Sequence, residues 1–438
     1  MSQTKKGKRF SNIGGVFFLL IVIPLSLMAF LIANGMFKLG VTIKQNTLSA
    51  IDQKSQEEIK IRAINTAEEV ANFLNERKKD VLTATILPAN DATYKQFLKD
   101  SIKNIWVKDG KTVRLTAAPV YTEIAFVDKT GKEVVKVVNG QTAPTAQLRN
   151  VSVPSETTYK TEDYFAKTKI LNKGDIYVSP VTGWYVNKEA FEKGARFAGI
   201  VRFATPVFDK QGFAGILELA MDYRHLAKLT DQIIPTQTEH VFETDASTGN
   251  YAYMVDNRGF MISHPNDYHV MGLNSNGTHV PALSDQNVAE ETKKGELALN
   301  VNQLGFMDPK LPVIAKEAAE KGTAGVTTYK FGGITKLVAY APIKFYASNL
   351  PQPAGFGWIG MGVEVEKYNE VATKMSQNIE KESKAWTATV IFILIVSMII
   401  LFFIMLLLVR GVTRSLESEV PEGAEGPSSF DDDDEDDK

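Results

Sequence analysis

The sequence predicts an α+β protein: a long N-terminal helix, then two tandem antiparallel sheet units, with a transmembrane helix at either end. Three observations carry this prediction. They are two long apolar segments near the termini, a stretch without Gly or Pro after the first of them, and a repeated strand–turn–strand pattern. A chain of 438 residues accommodates two or three such units, since domains commonly contain about 100–200 residues.

Both apolar segments are long enough to cross a membrane. No charged residue occurs between Arg9 and Lys38, or between Lys384 and Arg410. About 20 apolar residues span the hydrocarbon core. The first segment exceeds the apolar part of a cleavable signal peptide, so we expect a retained span rather than that alternative. Basic residues precede the first span and follow the second, which predicts that both termini are cytoplasmic and most of the chain is outside.

The stretch from Val41 to about Thr85 contains no Gly or Pro and is rich in helix-forming residues. It predicts one long helix, with a pair of shorter helices as the alternative. Apolar residues on one helical face are Ala67, Val70, Ala71 and Leu74. This stripe has to be buried, partly against the chain's own sheet units and partly against a second copy, so we predict a homodimer.

Two later segments share one pattern. YTEIAFVDKTGKEVVKV and YAYMVDNRGFMIS each predict a strand, a turn and a second strand. Their aspartates, Asp128 and Asp256, are 128 residues apart, and Pro206 and Pro342 in two further similar segments are 136 apart. Two copies of one antiparallel unit explain both spacings, and a chance match of common strand–turn–strand sequences is the alternative.

At this point the chain resembles the double-Cache (dCache) sensor region of bacterial chemoreceptors, sensor histidine kinases and membrane diguanylate cyclases. The resemblance covers about 41–380 and rests on the order of four segments: EDYFAKTKILNKGDIYVSP, GIVRFATPVFDKQGFAGIL, VDNRGFMISHP and KLVAYAPI. It implies that the sheet units are PAS-like Cache units, the first membrane-distal and the second membrane-proximal.

These observations divide the chain into eight segments. They are a basic cytoplasmic N-terminus (1–12), transmembrane helix 1 (13–37), a long extracytoplasmic helix (38–89), the distal Cache unit (90–235), the proximal Cache unit (236–384), transmembrane helix 2 (385–409), a segment resembling the start of a HAMP relay (410–417) and an acidic tail (418–438). The tail lacks an apolar pattern, so we expect it to be disordered, as an appended expression tail or a natural acidic terminus.

The resemblance implies a small-molecule site in the distal unit, between the central sheet and the segment that crosses it. Arg202 interrupts an apolar strand there, and a buried Arg needs an acid of the protein or an anionic ligand. Pairing with Glu218 or Asp222 is the alternative to ligand binding. The predicted ligand-binding residues are Tyr164, Tyr177, Ser179, Arg196, Arg202 and Glu218.

The chain departs from the amino-acid-binding members of the family that it resembles. YFAKTKIL stands where an R-x-W-Y pattern is expected, and Ala220 where an Asp would grip the ligand ammonium. α-Amino acids are therefore disfavoured as ligands. An organic anion is slightly favoured, because guanidinium groups bind carboxylates in a bidentate way. If Arg202 is instead satisfied by Glu218, the site should select neutral or cationic compounds.

Several classes of function are excluded or disfavoured. The absence of Cys excludes thiolate zinc sites, iron–sulfur clusters and a cysteine nucleophile. No hydrolase, zinc-protease or P-loop motif occurs, so we predict no catalytic residues, no metal and no cofactor. A net charge of −2 gives no uniformly basic surface for nucleic acid.

We therefore predict a two-span sensory receptor of the bacterial inner membrane, whose periplasmic or extracellular region binds a small molecule. The signal would pass to a cytoplasmic output module, such as a histidine kinase or diguanylate cyclase, that this chain does not contain. The alternative is a membrane-anchored extracytoplasmic binding or adhesion protein without signalling output.

Overall fold

The computed structural model describes residues 3–109, 112–365 and 370–418. The predicted acidic tail lies outside the described residues, apart from Ser418. The chain forms two compact units, one built from its two ends and one from Asp52–Glu370.

The described residues contain helices of three kinds. The α-helices are α1 (Gln3–Ala84), α2 (Asp91–Asp100), α3 (Tyr164–Thr168), α4 (Lys188–Glu192), α5 (Arg224–Asp231), α6 (Val288–Lys294), α7 (Lys310–Ala315) and α8 (Glu370–Ser418). The 3₁₀ turns are Thr145–Gln147, Pro154–Glu156, Ala246–Thr248, Asp267–His269 and Val301–Phe306, and Lys316–Glu320 is a π turn.

The strands form a two-stranded hairpin and two larger sheets. They are β1 (Ile102–Asp109), β2 (Thr112–Pro119), β3 (Tyr121–Asp128), β4 (Glu133–Val138), β5 (Gln141–Thr142), β6 (Tyr177–Val178), β7 (Thr182–Gly183), β8 (Gly199–Asp209), β9 (Gly212–Asp222), β10 (Tyr251–Asp256), β11 (Met261–Ser263), β12 (Gly325–Phe331), β13 (Ile334–Ile343) and β14 (Gly357–Glu364).

Helix α1 is continuous, which excludes the alternative of two shorter helices. It ends at Ala84, before Pro88, a residue that cannot continue a helix without losing a backbone hydrogen bond. The predicted apolar stripe is confirmed, because Ala67, Val70 and Leu74 are buried in one core with residues of both larger sheets. The sheets of this unit thus share one core with the C-terminal half of α1.

In the unit formed by the chain ends, two apolar stretches are long enough to cross a membrane. They are Phe18–Asn46 of α1, with a mean hydropathy of 2.3, and Thr373–Gly411 of α8, with 3.4. The Phe18 and Phe402 rings meet edge to face with centroids 5.8 Å apart. The two helices also form an ion pair, since Lys44 Nζ of α1 lies 3.0 Å from Glu380 Oε2 of α8. Both segments that the sequence predicts as spans therefore form helices.

The first sheet has the strand order β5-β4-β3-β9-β8-β6, with β7 paired to β8, and the second sheet has the order β11-β10-β14-β13-β12. Every pairing within them is antiparallel. The run β4-β3-β9-β8 in the first sheet corresponds to β11-β10-β14-β13 in the second. This shared order confirms two tandem antiparallel units.

The corresponding turns and glycines extend the repeat to single residues. Asp128 Oδ1 accepts hydrogen bonds from the N–H groups of residues 130 and 132, and Asp256 Oδ1 from those of residues 258 and 260. Gly215 pairs with Asp128 and Gly357 with Asp256 in the neighbouring strand. Both glycines have positive φ, of 156° and 150°. The match is therefore not a chance similarity of strand-like sequence.

The hairpin of β1 and β2 was not predicted from the sequence. Its strands pair over eight positions, from Ile102 with Pro119 to Asp109 with Thr112. Lys228 of α5 holds it to the first sheet unit, since Nζ donates to the Asn104 carbonyl at 3.0 Å.

Candidate ligand site

Arg202 lies at the centre of a buried charge cluster on one face of the first sheet. Arg202 on β8 pairs with Ala220 on the neighbouring strand β9, and Ala220 pairs with Glu123 on β3. Residues paired across adjacent strands point to the same face. The small Ala220 side chain therefore lets the Arg202 guanidinium reach across the row to Glu123. The residue that departs from the amino-acid-binding pattern is thus the one that makes room for this pair.

Three glutamates surround the Arg202 guanidinium. Its Nη1 lies 2.7 Å from Glu123 Oε1 and 2.8 Å from Glu218 Oε2, and its Nε donates to Glu162 Oε1. The Arg202 side chain is only 1% exposed. A buried Arg is tolerated when its donors are satisfied in this way. Arg202 therefore pairs with acids of the protein itself, as the alternative predicted. Glu218 is one of these acids, whereas Asp222 pairs with Arg224. The expectation of an organic anion rested on an Arg without an acidic partner and loses that support.

Lys136 on β4 adds a second cation, and Glu133 a fourth acid. Lys136 Nζ lies 2.9 Å from Glu123 Oε1 and 2.7 Å from Glu133 Oε1. Glu133 also accepts a hydrogen bond from the Arg149 N–H at 2.8 Å. Two cations thus face four acids, so the cluster has an excess of carboxyl groups.

The pKa values of Glu123 and Glu218 diverge because the two carboxyls interact. Burial alone would raise the pKa of Glu123, but the charges of Arg202 and Lys136 lower it below its usual range. Burial raises the pKa of Glu218 well above its usual range, and the charge of Glu123 raises it further, although Arg202 opposes this. Glu218 Oε1 is buried and accepts no hydrogen bond from a described residue. A protonated Glu218 beside an ionised Glu123 avoids the cost of burying two adjacent negative charges.

Tyr164, Ser179 and Tyr177 stand around this cluster. The Tyr164 ring packs beneath the guanidinium, with its centroid 4.8 Å from the Arg202 carbon Cζ. Ser179 Oγ accepts from the Arg202 N–H at 2.8 Å. Tyr177 lies next to Tyr164 in a small apolar core, and its hydroxyl donates to Asp163 at 3.2 Å. The structure therefore brings together five of the six residues predicted for the site.

Arg196 is the exception and lies elsewhere. Its guanidinium is exposed, stacks on the Phe191 ring at 4.4 Å, and pairs with Glu243 at 2.7 Å. It lines a separate cavity with Asp231 and Asp267. Arg196 is in the turn before β8, whereas Arg202 is inside that strand, so residues six positions apart face different surroundings.

Four charged residues of the cluster were missed from the sequence: Glu123, Lys136, Glu133 and Glu162. Glu123 and Lys136 each interrupt an apolar strand, which is the signal that identified Arg202. Glu162 precedes α3 and approaches Arg202 from a loop 40 positions away in sequence. The strand signal could have found the first two, but a loop residue gives no comparable pattern.

Comparison with known proteins identifies the fold. The sequence matches the Cache domain family, in its double form dCache, over residues 43–381. The match covers most of the chain, so this chain belongs to the Cache domain family. Domains of this kind are extracytoplasmic, non-catalytic sensor modules of receptors that bind small ligands. No curated protein matches the chain.

Solved structures with similar folds include three sensor domains. One is the extracellular domain of vpHK1S-Z8, described as a histidine kinase (15% identity, 76% of this chain and 99% of that chain, TM-score 0.42). Another is the ligand-binding domain of the Pseudomonas fluorescens chemoreceptor CtaA with L-leucine (14% identity, 73% of this chain and 98% of that chain, TM-score 0.38). A third is the ligand-binding domain of the Pseudomonas aeruginosa PAO1 chemoreceptor PctC with GABA (12% identity, 70% of this chain and 99% of that chain, TM-score 0.38). At these identities and TM-scores, the likeness carries no argument about this chain.

Proposed function

We propose that this chain is a two-span receptor of the bacterial inner membrane that binds an extracytoplasmic small molecule at the Arg202 cluster. In this proposal, residues 90–235 form the membrane-distal unit and residues 236–384 the membrane-proximal unit. Binding biases the conformation of α8, and the signal passes to a cytoplasmic output module. The buried excess of carboxyl groups around Arg202 is the main support, because an apolar core would be cheaper for stability alone. An adhesion protein gains nothing from such a cluster.

The charges of the cluster favour a ligand with a positive charge over an organic anion. Arg202 already has three acidic partners, so its guanidinium offers little to a carboxylate. The raised pKa of Glu218 favours its protonated form, and an approaching ammonium group would favour the ionised carboxylate instead. Because Arg202 and Glu218 are almost fully buried, the ligand enters only when the segment around α3 moves. Ligand entry is thereby coupled to a change of shape.

Glu218→Gln is expected to separate ligand binding from folding. The neutral amide imitates the protonated carboxyl, so the full-length variant should melt within about 2 °C of the wild type, as expected for a change well under 1 kcal/mol. It cannot ionise, so it should lose the thermal stabilisation that amines confer on the wild type by mass action. A screen of amines, organic acids, amino acids and purines by thermal shift tests this. Stabilisation by organic acids alone, unchanged in Glu218→Gln, would contradict it.

Pairing of two copies through α1 is part of the same proposal. Ala67 is buried in the chain's own core, whereas Ile61 and Asn72 are exposed on another face of the helix. Single cysteines at Ile61 and Asn72 are expected to crosslink between copies in membranes, and Ala67→Cys should not. The assay has no background because the chain contains no Cys. Equal crosslinking at all three positions, or none at either exposed position, would argue against this interface.

A further inference from the structure

A cavity of about 590 Å³ lies where the β1–β2 hairpin and α5 meet the loop that follows β11. Pockets for small organic ligands commonly measure about 300–1,000 Å³. Its walls include the aromatic residues Trp106, Phe197, Tyr223 and Phe242. Residues from both sheet units line it, so an occupant would contact both. The Arg202 cluster does not contribute to this cavity.

The carboxyl groups of Asp231 and Asp267 line the cavity and lack a cationic partner among the described residues. Asp231 accepts a hydrogen bond from the Ser263 hydroxyl at 2.6 Å, and Asp267 from the Phe197 N–H at 2.6 Å. Neither forms an ion pair with a described Lys or Arg. Burial, with the nearby charge of Asp267, raises the pKa of Asp231 to about 8. Burial raises the pKa of Asp267 to about 6, although Arg196 opposes this and Glu243 adds to it.

The cations along the cavity already have other partners. Lys193 pairs with Glu189, Arg196 with Glu243, and Arg224 with Asp222, while Lys228 donates to the Asn104 carbonyl. Lys228 has only this neutral partner and keeps its positive charge beside the hairpin. The Asp231 and Asp267 carboxyls have no cationic partner among the described residues, and a ligand ammonium placed between them would favour their ionised forms.

Tyr223 also lines the cavity, and its side chain is buried. It lies close to Asp231, Asp267 and the Ser263 hydroxyl, which donates to Asp231. The Tyr223 ring meets the Phe197 ring edge to face at 4.9 Å, which gives the cavity one rigid aromatic wall.

We propose that this cavity is a second binding site and takes a small aromatic amine. Its ammonium group lies between Asp231 and Asp267, and its ring packs among the aromatic walls. Aromatic faces also stabilise a nearby ammonium group directly. Because α5 follows the first sheet and Asp267 follows a strand of the second, the occupant holds the two sheet units together. This inference does not depend on the function proposed for the Arg202 cluster.

Protonation gives the proposal a second readout. Between about pH 4 and pH 8 the folded protein holds a proton on Asp231 that the unfolded chain has lost, so stability without ligand falls as pH rises through this window. Bound ammonium favours the ionised carboxylate and should expel that proton. Affinity should therefore rise at least about tenfold from pH 6 to pH 8, while the amine itself stays charged.

Calorimetry on the full chain in detergent, with tyramine as the probe, tests both points. We expect tyramine to bind with proton release at pH 7, detected by comparing buffers of different ionisation enthalpy. Its neutral analogue 4-hydroxyphenethyl alcohol and its anionic analogue 4-hydroxyphenylacetate should bind at least about tenfold more weakly. Asp267→Asn should weaken tyramine binding to the same extent, and Asp231→Asn should also abolish proton release. Glu290→Gln, an exposed acid on α6, is the matched control.

Several outcomes would overturn the proposal. They are no tyramine binding between pH 6 and pH 8, equal binding of the alcohol, and binding unchanged in both aspartate variants. Loss of tyramine binding in Glu218→Gln but not in Asp267→Asn would also overturn it, since the amine would then occupy the Arg202 cluster. That last result would support amine binding at the Arg202 cluster. The experiment therefore distinguishes failure of the second site from failure of the function proposed above.

Discussion

Arg202→Ala is expected to destabilise the first sheet unit by about 3–5 kcal/mol, the cost of breaking a buried ion pair by removing one partner. Without the guanidinium, Glu162 and Glu218 lose the cation that contacts them, and Glu123 keeps only Lys136. The expected loss of stability is this large because Arg202 and its three acidic partners are almost fully buried. Chemical denaturation of the full chain, followed by fluorescence, measures it.

The pH dependence of this loss identifies its cause. In the wild type, the lowered pKa of Glu123 contributes stability above the unfolded pKa of about 4.5, and this contribution disappears as pH falls. The difference between Arg202→Ala and the wild type should therefore shrink at acidic pH. Lys193→Ala is the control, since Lys193 pairs with Glu189 while both side chains are more than 70% exposed, and it should cost less than about 1 kcal/mol. An equal loss in both variants would contradict the assignment.

Gly357→Ala is expected to cost about 3 kcal/mol or more. The residue has a φ of 150°, and an added Cβ would overlap the Val255 carbonyl oxygen on the neighbouring strand β10. A positive φ costs roughly 1–2 kcal/mol for a residue with a side chain, and forced overlap in a packed sheet adds about 1–3 kcal/mol. Gly215→Ala should behave alike, because its Cβ would overlap the Val127 carbonyl oxygen.

Gly212→Ala separates backbone strain from overlap. Gly212 also has a positive φ, of 113°, but nothing lies within 4 Å of the position of an added Cβ. It should therefore lose only the strain contribution, about 1–2 kcal/mol. Hydrogen exchange would place the effect of Gly357→Ala in β10 and β14. Equal losses for Gly357→Ala and Gly212→Ala would show that the close approach of the strands does not matter.

The fold was predictable because its signals are local or repeated. Gly-free and Pro-free sequence indicated α1, charge-free segments indicated the two apolar helices, and the spacing of Asp128 and Asp256 indicated the two sheets. The β1–β2 hairpin was missed because the sequence of β1, IKNIWVKD, does not alternate between apolar and polar residues. Apolar residues such as Trp106 are exposed on it, so burial did not shape its pattern.

The site was predictable only in part, because its contacts depend on strand register. The apolar context of Arg202 predicted a buried charge in need of a partner. Which acids surround it depends on how β3, β9 and β8 align, and Glu123 lies 79 positions away in sequence. Arg196 carried the same chemical signal as Arg202, yet lies before the strand begins. Residue type and neighbourhood in sequence did not distinguish these two positions.

The central proposal is that ligand binding at the Arg202 cluster drives a signal across the membrane. Fusion of residues 1–415 to the kinase half of a known sensor tests it most directly, with kinase output measured in cells. We expect an amine that stabilises the wild-type chain to change output, and Glu218→Gln to abolish the response while the fusion still inserts in the membrane. An output that no stabilising compound alters, in a correctly inserted fusion, would contradict the receptor function and favour a binding or adhesion protein.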